Sequence, residues 1–248
     1  MMKNFSLLKK FSSALVAGLT LSALWLSLGN SGTISWLPPL FIFSLVGITL
    51  FASLIFPFIW HFRLNKQTDN SDKILGILNV IIRYSIAFNL CRFGWAKIFG
   101  LQFIVPETIA TQPINQLSGE WLTWFYFGYS HAFGTILALI QIVGSYFLLF
   151  RKTLLISAIS LFAFMLNLTL INIFYQMNAG ALTESVLLTI GLVYLILSDY
   201  QRLKIFFLKT LPNIPMLTIK NSTTKNLLRL STVLLSLLYT LYLVSSMH

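Results

Sequence analysis

Three basic side chains, Arg83, Arg92 and Lys97, lie within one apolar stretch that has the periodicity of a helix. A charge near the middle of a bilayer costs about 2.5–3.5 kcal/mol on insertion scales, so membrane helices direct such side chains toward protein or an aqueous pocket. An Arg in that position supplies charge-assisted hydrogen bonds, which suit a carbonyl group or an anion. The stretch predicts either a binding site for the polar end of a ligand or a hydrogen-bond network that only fixes helix packing.

Polar residues on the helices that follow extend this hypothesis. Counted along each predicted helix at about 1.5 Å per residue, Gln141 lies at the depth of Arg83, where the two side chains could meet. Glu184 begins a later helix and is a credible counter-ion for Arg92 or Lys97. We therefore predict a polar cavity between four helices that opens outward and reaches down to Arg83. Its candidate ligand-binding residues are Arg83, Arg92, Lys97, Gln141, Asn167, Asn172 and Glu184.

Small and polar residues form a stripe along the helix that carries the three cations. They recur at steps of three or four residues, which places them on one helical face. The stripe comprises Gly76, Asn79, Arg83, Ala87, Leu90, Gly94 and Lys97. Small residues allow a partner helix to approach closely, and polar ones need hydrogen bonds that lipid cannot supply. We predict that this face packs on protein and that the helix is central.

The composition identifies the class of protein. Of the 248 residues, 57% are hydrophobic and 9% are charged, and the mean hydropathy is +0.83, which is too apolar for a soluble domain of this length. The formal net charge is +11, but the cations lie between apolar segments and do not form one basic patch. The sequence predicts an integral membrane protein whose cations set its topology, with membrane lipid and not nucleic acid as its partner.

Apolar runs near the roughly 20 residues needed to span a bilayer recur seven times. They cover about 11–28, 36–60, 74–95, 131–150, 153–174, 181–198 and 230–244. The first run could be a signal peptide, but its length and the lack of a cleavage site favour an uncleaved anchor. The fold class predicted is all-α, a polytopic membrane bundle of about seven transmembrane helices.

Alternate loops are rich in Lys and Arg, which predicts a cytoplasmic N-terminus and an external C-terminus. The cationic loops contain Arg63, Lys66 and Lys73, then Arg151 and Lys152, then six cations between residues 202 and 229. Polar linkers divide the chain into two N-terminal helices and a loop (1–72), a four-helix core (73–208), and a cytoplasmic linker with a last helix (209–248). In the long external loop, Trp121, Trp124, Tyr126 and Tyr129 suit an interfacial aromatic belt better than a ligand cage.

Recognisable enzyme motifs do not occur in the sequence. Cys91 is the single cysteine, so an intrachain disulfide, a dithiol pair and a multi-cysteine metal site are excluded. Neither His61 nor His131 has a second ligand at metal spacing, so we predict no metal site. No catalytic residue is indicated. The chain is at most a non-catalytic subunit of an enzyme.

The core resembles the DoxX-like family of integral membrane proteins over about residues 73–208. In that family the first core helix carries an Arg and then a Gly and a Lys near its outer end, as Arg83, Gly94 and Lys97 do here. The segments GSYFLLFRKT (144–153) and LSDYQRLKIFF (197–207) are similar to the family's basic turn and its closing juxtamembrane segment.

The resemblance implies a four-helix core. It also implies association with redox proteins at the membrane, because some relatives are similar to small subunits of quinone-linked thiosulfate oxidoreductases. The chain has no Cys pair, so thiol-relay chemistry does not carry over. We expect a multi-pass protein of the cell membrane, in a bacterium the inner membrane, that serves as an accessory or membrane-anchor subunit. Its ligand would be a quinone or a lipid, and a redox protein subunit is its candidate partner. The alternative is a non-catalytic structural, cargo-binding or transport membrane protein.

Overall fold

The computed structural model describes residues 6–29, 37–63, 68–205, 208 and 222–246. Ten α-helices and a 3₁₀ turn occur in these ranges. The helices are α1 (Leu7–Leu28), α2 (Pro39–Phe62), α3 (Thr68–Ile98), α4 (Glu107–Ala110), α5 (Gly119–Gly128), α6 (His131–Leu148), α7 (Leu154–Phe174), α8 (Ala179–Ser198), α9 (Tyr200–Lys204) and α10 (Ser222–Ser246), and the 3₁₀ turn is Ile114–Gln116. The prediction of an all-α polytopic membrane bundle is confirmed.

Six helices of the described ranges, α1, α2, α3, α6, α7 and α8, are long and apolar enough to cross a membrane. The seventh predicted span corresponds to α10, whose described apolar stretch, Leu230–Tyr242, is shorter.

Polar residues at several helix starts explain where the spans begin. The hydroxyl oxygen of Ser130 accepts a hydrogen bond from the backbone N–H of Phe133 at 3.3 Å, and the Asn178 side chain accepts one from Ala181 at 3.0 Å.

The chain divides into two compact units, Met1–Lys204 and Ile205–His248. In the first unit α3 packs against α1, α6 and α8, while α7 packs against α6 and α8. Fully buried side chains fill the space between these helices; they include Ile82, Ile86, Leu90, Leu161, Leu188 and Leu192. In the second unit, α10 is the helix that the structure describes. The prediction that α3 is central is confirmed by its three packed neighbours.

Helix α1 shares the buried core with α3 and α8. Ala17 and Ala23 are buried there, and the Tyr194 hydroxyl on α8 lies 2.7 Å from the Ser13 hydroxyl on α1. Helix α2 packs mainly on α1 and leaves most of its apolar surface exposed, as a lipid-facing helix does. The division of the chain at residue 72 stays a prediction, and most of the predicted linker between residues 209 and 229 lies outside the described residues.

The small-residue stripe of α3 meets α6 at Gly94. A Cβ atom placed on Gly94 would lie 2.6 Å from Cγ1 of Ile142 and 3.0 Å from the backbone oxygen of Ala138, so only glycine permits this approach. At Gly76, in the first half of the same helix, an added Cβ would meet no atom within 4 Å. The prediction that the stripe packs on protein holds at Gly94 and is wrong at Gly76.

Candidate functional site

A cavity of about 550 Å³ lies between the C-terminal part of α3, the segment that follows it, α5, α7 and α8. We call it the Lys97 cavity. Four of the seven residues predicted from the sequence line it: Arg92, Lys97, Asn172 and Glu184. The bundle therefore brings together residues from α3, α7 and α8 that are up to 92 positions apart in the sequence. The role of these residues in ligand binding stays a prediction.

Lys97 links the cavity to α6. Its Nζ donates to Oε1 of Gln141 at 2.9 Å and to the backbone oxygen of Phe93 at 3.3 Å. Gln141 is fully buried, so this bond adds a fifth predicted residue behind the cavity wall. Both acceptors are neutral, and an ammonium group has three N–H donors. Within the described residues, one donor of Lys97 therefore remains for a further acceptor.

Arg92 and Glu184 form an ion pair across the cavity, with Nη2 and Oε2 3.7 Å apart. The prediction that Glu184 is a counter-ion for one of the two cations is confirmed, and the cation is Arg92. The Glu184 side chain is 8% exposed and that of Arg92 is 33% exposed, so the pair lies at the cavity wall and not on an open surface. Nε of Arg92 is buried and has no hydrogen-bond partner among the described residues. Buried donors without an acceptor are rare in folded proteins, so Nε of Arg92 is an exception within the described residues.

Asn172 has a mainly structural set of contacts. Its Nδ2 donates to the backbone oxygen of Ala181 at 3.0 Å and to the Ser185 hydroxyl at 2.9 Å. These bonds join α7 to α8 at Ala181 and Ser185, within one turn of Glu184. Asn172 thus holds the cavity wall in place and lines the cavity at the same time.

Aromatic side chains cover one side of the Lys97 cavity. Phe103 stacks on Phe127 with ring centroids 5.2 Å apart, and its ring centroid lies 5.7 Å from Nζ of Lys97. The backbone of Phe103 has a φ of 65°, a left-handed conformation that non-glycine residues rarely adopt. Such strain persists where the surroundings fix it, and here the aromatic cluster of Phe103, Trp124 and Phe127 does so.

Arg83 lies at the other end of the bundle, which corrects the expectation that it meets Gln141. Its Nε donates to the backbone oxygen of Leu148 at 3.0 Å, and its Nη2 donates to that of Leu149. These are carbonyl groups at the C-terminal end of α6, which lack partners within the helix and lie at the negative end of its dipole. The positive charge of Arg83 is attracted to these carbonyl groups, whereas Gln141 lies two turns earlier on α6.

Asn167 does not join the Lys97 cavity either. It is exposed on α7, although Met165 and Asn172 of the same helix are buried. Residues five positions apart differ by about 140° around a helix of 3.6 residues per turn, so Asn167 and Asn172 cannot face the same cavity. The expectation that both lie in one cavity is wrong for Asn167.

Sequence reasoning missed two aromatic cavity residues, Phe93 and Phe103, and it assigned Trp124 to an interfacial belt. Trp124 lines the cavity, while Tyr126 and Tyr129 are 65% and 93% exposed, as belt residues are. Phe93 follows Arg92 directly, and its ring centroid lies 4.5 Å from the guanidinium carbon of Arg92. The adjacency of aromatic and cationic residues is the one signal that could have identified Phe93, and Phe103 carries no such signal.

The chemistry offered by the cavity is the donation of charge-assisted hydrogen bonds to an acceptor. Arg92 and Lys97 supply the donors, and Glu184 supplies one negative charge. Within the described ranges, no group of three His, Cys, Asp or Glu side chains is placed to hold a metal ion. The arrangement is suited to binding a polar group beside an apolar wall.

Comparison with known proteins gives one informative match. The chain is 28% identical over 122 residues to YwoB of Bacillus subtilis (strain 168), which is described as an uncharacterized protein. The match covers 48% of this chain and 75% of YwoB. No protein-family profile and no solved structure matches the chain. The fold and the cavities support the conclusion that this is a membrane-spanning helical protein, similar over about half its length to YwoB.

Proposed function

We propose that this multi-pass membrane protein binds the polar end of an amphiphile in the Lys97 cavity. The ligand would be a quinone, through a carbonyl oxygen, or a lipid with an anionic head group. The observation that carries this proposal is the excess of donors: two cations, Arg92 and Lys97, share the cavity with one carboxylate, Glu184. The cavity volume of about 550 Å³ lies within the range typical of small-molecule sites.

Two cationic side chains support a ligand that accepts hydrogen bonds. Arg92 lines the cavity with its side chain 33% exposed, and within the described residues Lys97 bonds only neutral oxygens. A bound carbonyl or anionic oxygen would satisfy donors at this point and would offset their desolvation cost, which is about 1–3 kcal/mol for each unsatisfied group.

Apolar side chains beside the cations support a ligand with an apolar part. Phe93, Phe103 and Trp124 provide ring surfaces, and Met165 and Leu168 provide aliphatic surface. A quinone ring packs well on aromatic faces, and an acyl chain packs on aliphatic side chains. The combination of cationic and apolar side chains in one cavity favours an amphiphile over a free inorganic anion.

The resemblance to the DoxX-like family supports a role as an accessory or membrane-anchor subunit of an oxidoreductase complex, in a bacterium at the inner membrane. Of the three family-like positions, Lys97 lines the cavity, Gly94 permits the close approach of α6, and Arg83 caps the far end of α6. Affinity purification from membranes after mild cross-linking tests this role. We expect a stoichiometric redox subunit in the wild type, and a protein that is isolated alone would argue against the accessory role.

A structural role is the competing proposal, and one observation favours it. Both hydrogen bonds of Lys97 are internal, so Lys97 already ties α3 to Gln141 of α6 without a ligand. In that case loss of the charge would lower the free energy of unfolding and would change no ligand binding. A non-catalytic structural, cargo-binding or transport protein would then be the better description.

Lys97→Gln separates the two proposals, because Gln keeps a hydrogen-bond donor and removes the charge. Lys97→Arg keeps the charge, and Lys152→Gln removes an exposed charge outside this cavity. The full chain would be purified in one detergent, and quinones and lipids would be extracted and quantified by mass spectrometry.

A charge-assisted hydrogen bond contributes about 1.5–3 kcal/mol, so we expect Lys97→Gln to weaken retention by about tenfold or more. Lys97→Arg should retain most of the ligand, and Lys152→Gln should retain all of it. Thermal unfolding is measured on the same samples. Two results together would reject ligand binding and support the structural role. They are a wild type that retains no quinone or lipid, and a Lys97→Gln variant that loses only stability.

A further inference from the structure

A second cavity, of about 920 Å³, lies at the opposite end of the same bundle. The first half of α3, the turn between α6 and α7, and the junction of α8 and α9 border it. We call it the Arg83 cavity. Lys73, Arg151 and Arg202, one cation from each of the three cationic segments of the sequence, thus lie at one end of the first unit. The predicted topology places that end on the cytoplasmic side.

The Arg83 cavity carries a strong excess of positive charge. Lys73, Arg83, Arg151 and Arg202 line it together with one carboxylate, Asp199, so four positive charges and one negative charge leave a formal +3. Asp199 is already paired with Arg202, with Oδ2 and Nη1 3.6 Å apart. In the described part of the chain, neither Arg83 nor Arg151 forms an ion pair with a carboxylate.

Arg83 is a fixed donor and not a mobile surface cation. It is 8% exposed, and two of its five N–H donors bond the carbonyl groups that end α6. Arg202 is tied to the neighbouring turn, because its Nη2 donates to the backbone oxygen of Lys152 at 3.0 Å. Two cations are therefore held in place around the cavity, which lowers the entropic cost of binding an anion between them.

Apolar side chains continue the cavity toward the lipid-facing side of α3. Ile77 is 60% exposed and Val80 is 46% exposed, and both line the cavity beside the cations. A free phosphate ion would use only the charged part. A phospholipid would place its phosphate among the cations and its acyl chains on these side chains.

We propose that the Arg83 cavity binds the phosphate of an anionic phospholipid in the leaflet at this end of the bundle. Basic pockets between transmembrane helices suit such head groups, since each cation near the surface contributes electrostatic attraction. The bound lipid would seal the gap between α3, the α6–α7 turn and the α8–α9 junction. This site is separate from the Lys97 cavity and does not depend on the function proposed for it.

Native mass spectrometry of the full chain in detergent tests the proposal, with added phosphatidylglycerol or phosphatidylcholine of the same acyl chains. The informative variant is Arg151→Gln, because Arg151 is exposed and its side chain makes no hydrogen bond within the described residues, so folding should be unaffected. Lys152→Gln is the matched control, since the neighbouring residue is also exposed and does not line the cavity.

We expect wild type to prefer phosphatidylglycerol and Arg151→Gln to bind it about fivefold more weakly, from the attraction of one cation near the surface. Lys152→Gln should change the affinity by less than about twofold. Lys97→Gln should leave the Arg151-dependent adduct intact, which separates this site from the one proposed above. Equal binding of the two lipids, or equal effects of Arg151→Gln and Lys152→Gln, would overturn the proposal. Retention of inorganic phosphate without retention of phosphatidylglycerol would also refute the assignment to a lipid.

Discussion

Substitution of Gly94 by Ala tests whether the contact between α3 and α6 depends on the missing side chain. The new Cβ would lie 2.6 Å from Cγ1 of Ile142 and 3.0 Å from the backbone oxygen of Ala138. Neither atom is the free end of a flexible side chain, so the helices must move apart. Overpacking of this kind costs about 1–3 kcal/mol.

Gly76→Ala is the matched control, because Gly76 is in the same helix and an added Cβ there meets no atom within 4 Å. Replacing Gly by Ala in a helix interior stabilises it by about 0.5–1 kcal/mol, and both variants share this gain. The difference between their free energies of unfolding therefore isolates the packing cost. We expect Gly94→Ala to be less stable than Gly76→Ala by about 1–3 kcal/mol.

Unfolding by titration with sodium dodecyl sulfate, in mixed micelles of one composition, measures these free energies. Gly94→Ala should also weaken ligand retention in the Lys97 cavity, because Lys97 lies one turn farther along α3 and bonds Gln141 of the displaced α6. If Gly94→Ala stabilises the protein as much as Gly76→Ala does, the helices are not in close contact at this position and the description of the interface is wrong.

Two further predictions concern α7 and the topology. Asn172→Ala removes the hydrogen bonds to Ala181 and Ser185, so it should lower the free energy of unfolding by about 1–3 kcal/mol. Asn167→Ala, at an exposed position, should change that free energy by less than about 0.5 kcal/mol. Similar losses for both variants in the dodecyl sulfate titration would contradict the different environments of the two residues. In a Cys91→Ala background, an impermeant thiol reagent should label Gln112→Cys from outside the cell and Gln201→Cys only after the membrane is opened, and the reverse labelling would invert the predicted topology.

The sequence predicted the helices well because each span is a long apolar run with polar boundaries. It placed Arg83 wrongly because depth was counted along each helix separately, as if all helices began at the same level. Gly94 packs beside Ala138 and Ile142, and Arg83 lies eleven residues earlier, roughly 16 Å along the helix axis. At that level α6 has already ended, so Arg83 meets the terminal carbonyl groups of α6. The relative stagger of two helices follows from their contact and cannot be read from the hydropathy of either one.

The candidate site was predictable where charge alone decided the contact. Arg92 and Glu184 are complementary charges at the same predicted depth, and they form a pair. The prediction that Asn167 lines the cavity was wrong because α7 is apolar all round, so hydropathy does not distinguish its buried face from its exposed face. The spacing of Met165, Thr169 and Asn172, at steps of four and three, does mark the buried face and leaves Asn167 outside it.

The packing between the two cavities bears on the transport alternative. Arg83 and Lys97 are fourteen residues apart on α3, which separates them by roughly 21 Å along the helix axis. Between these levels Ile86 and Leu90 of α3 are fully buried, and they belong to one packed cluster with Leu188 and Leu192 of α8. Protein interiors are close-packed, so passage of a polar group from one cavity to the other would require these side chains to separate. The arrangement therefore favours two separate cavities, one at each end of the bundle, over a continuous pathway across it.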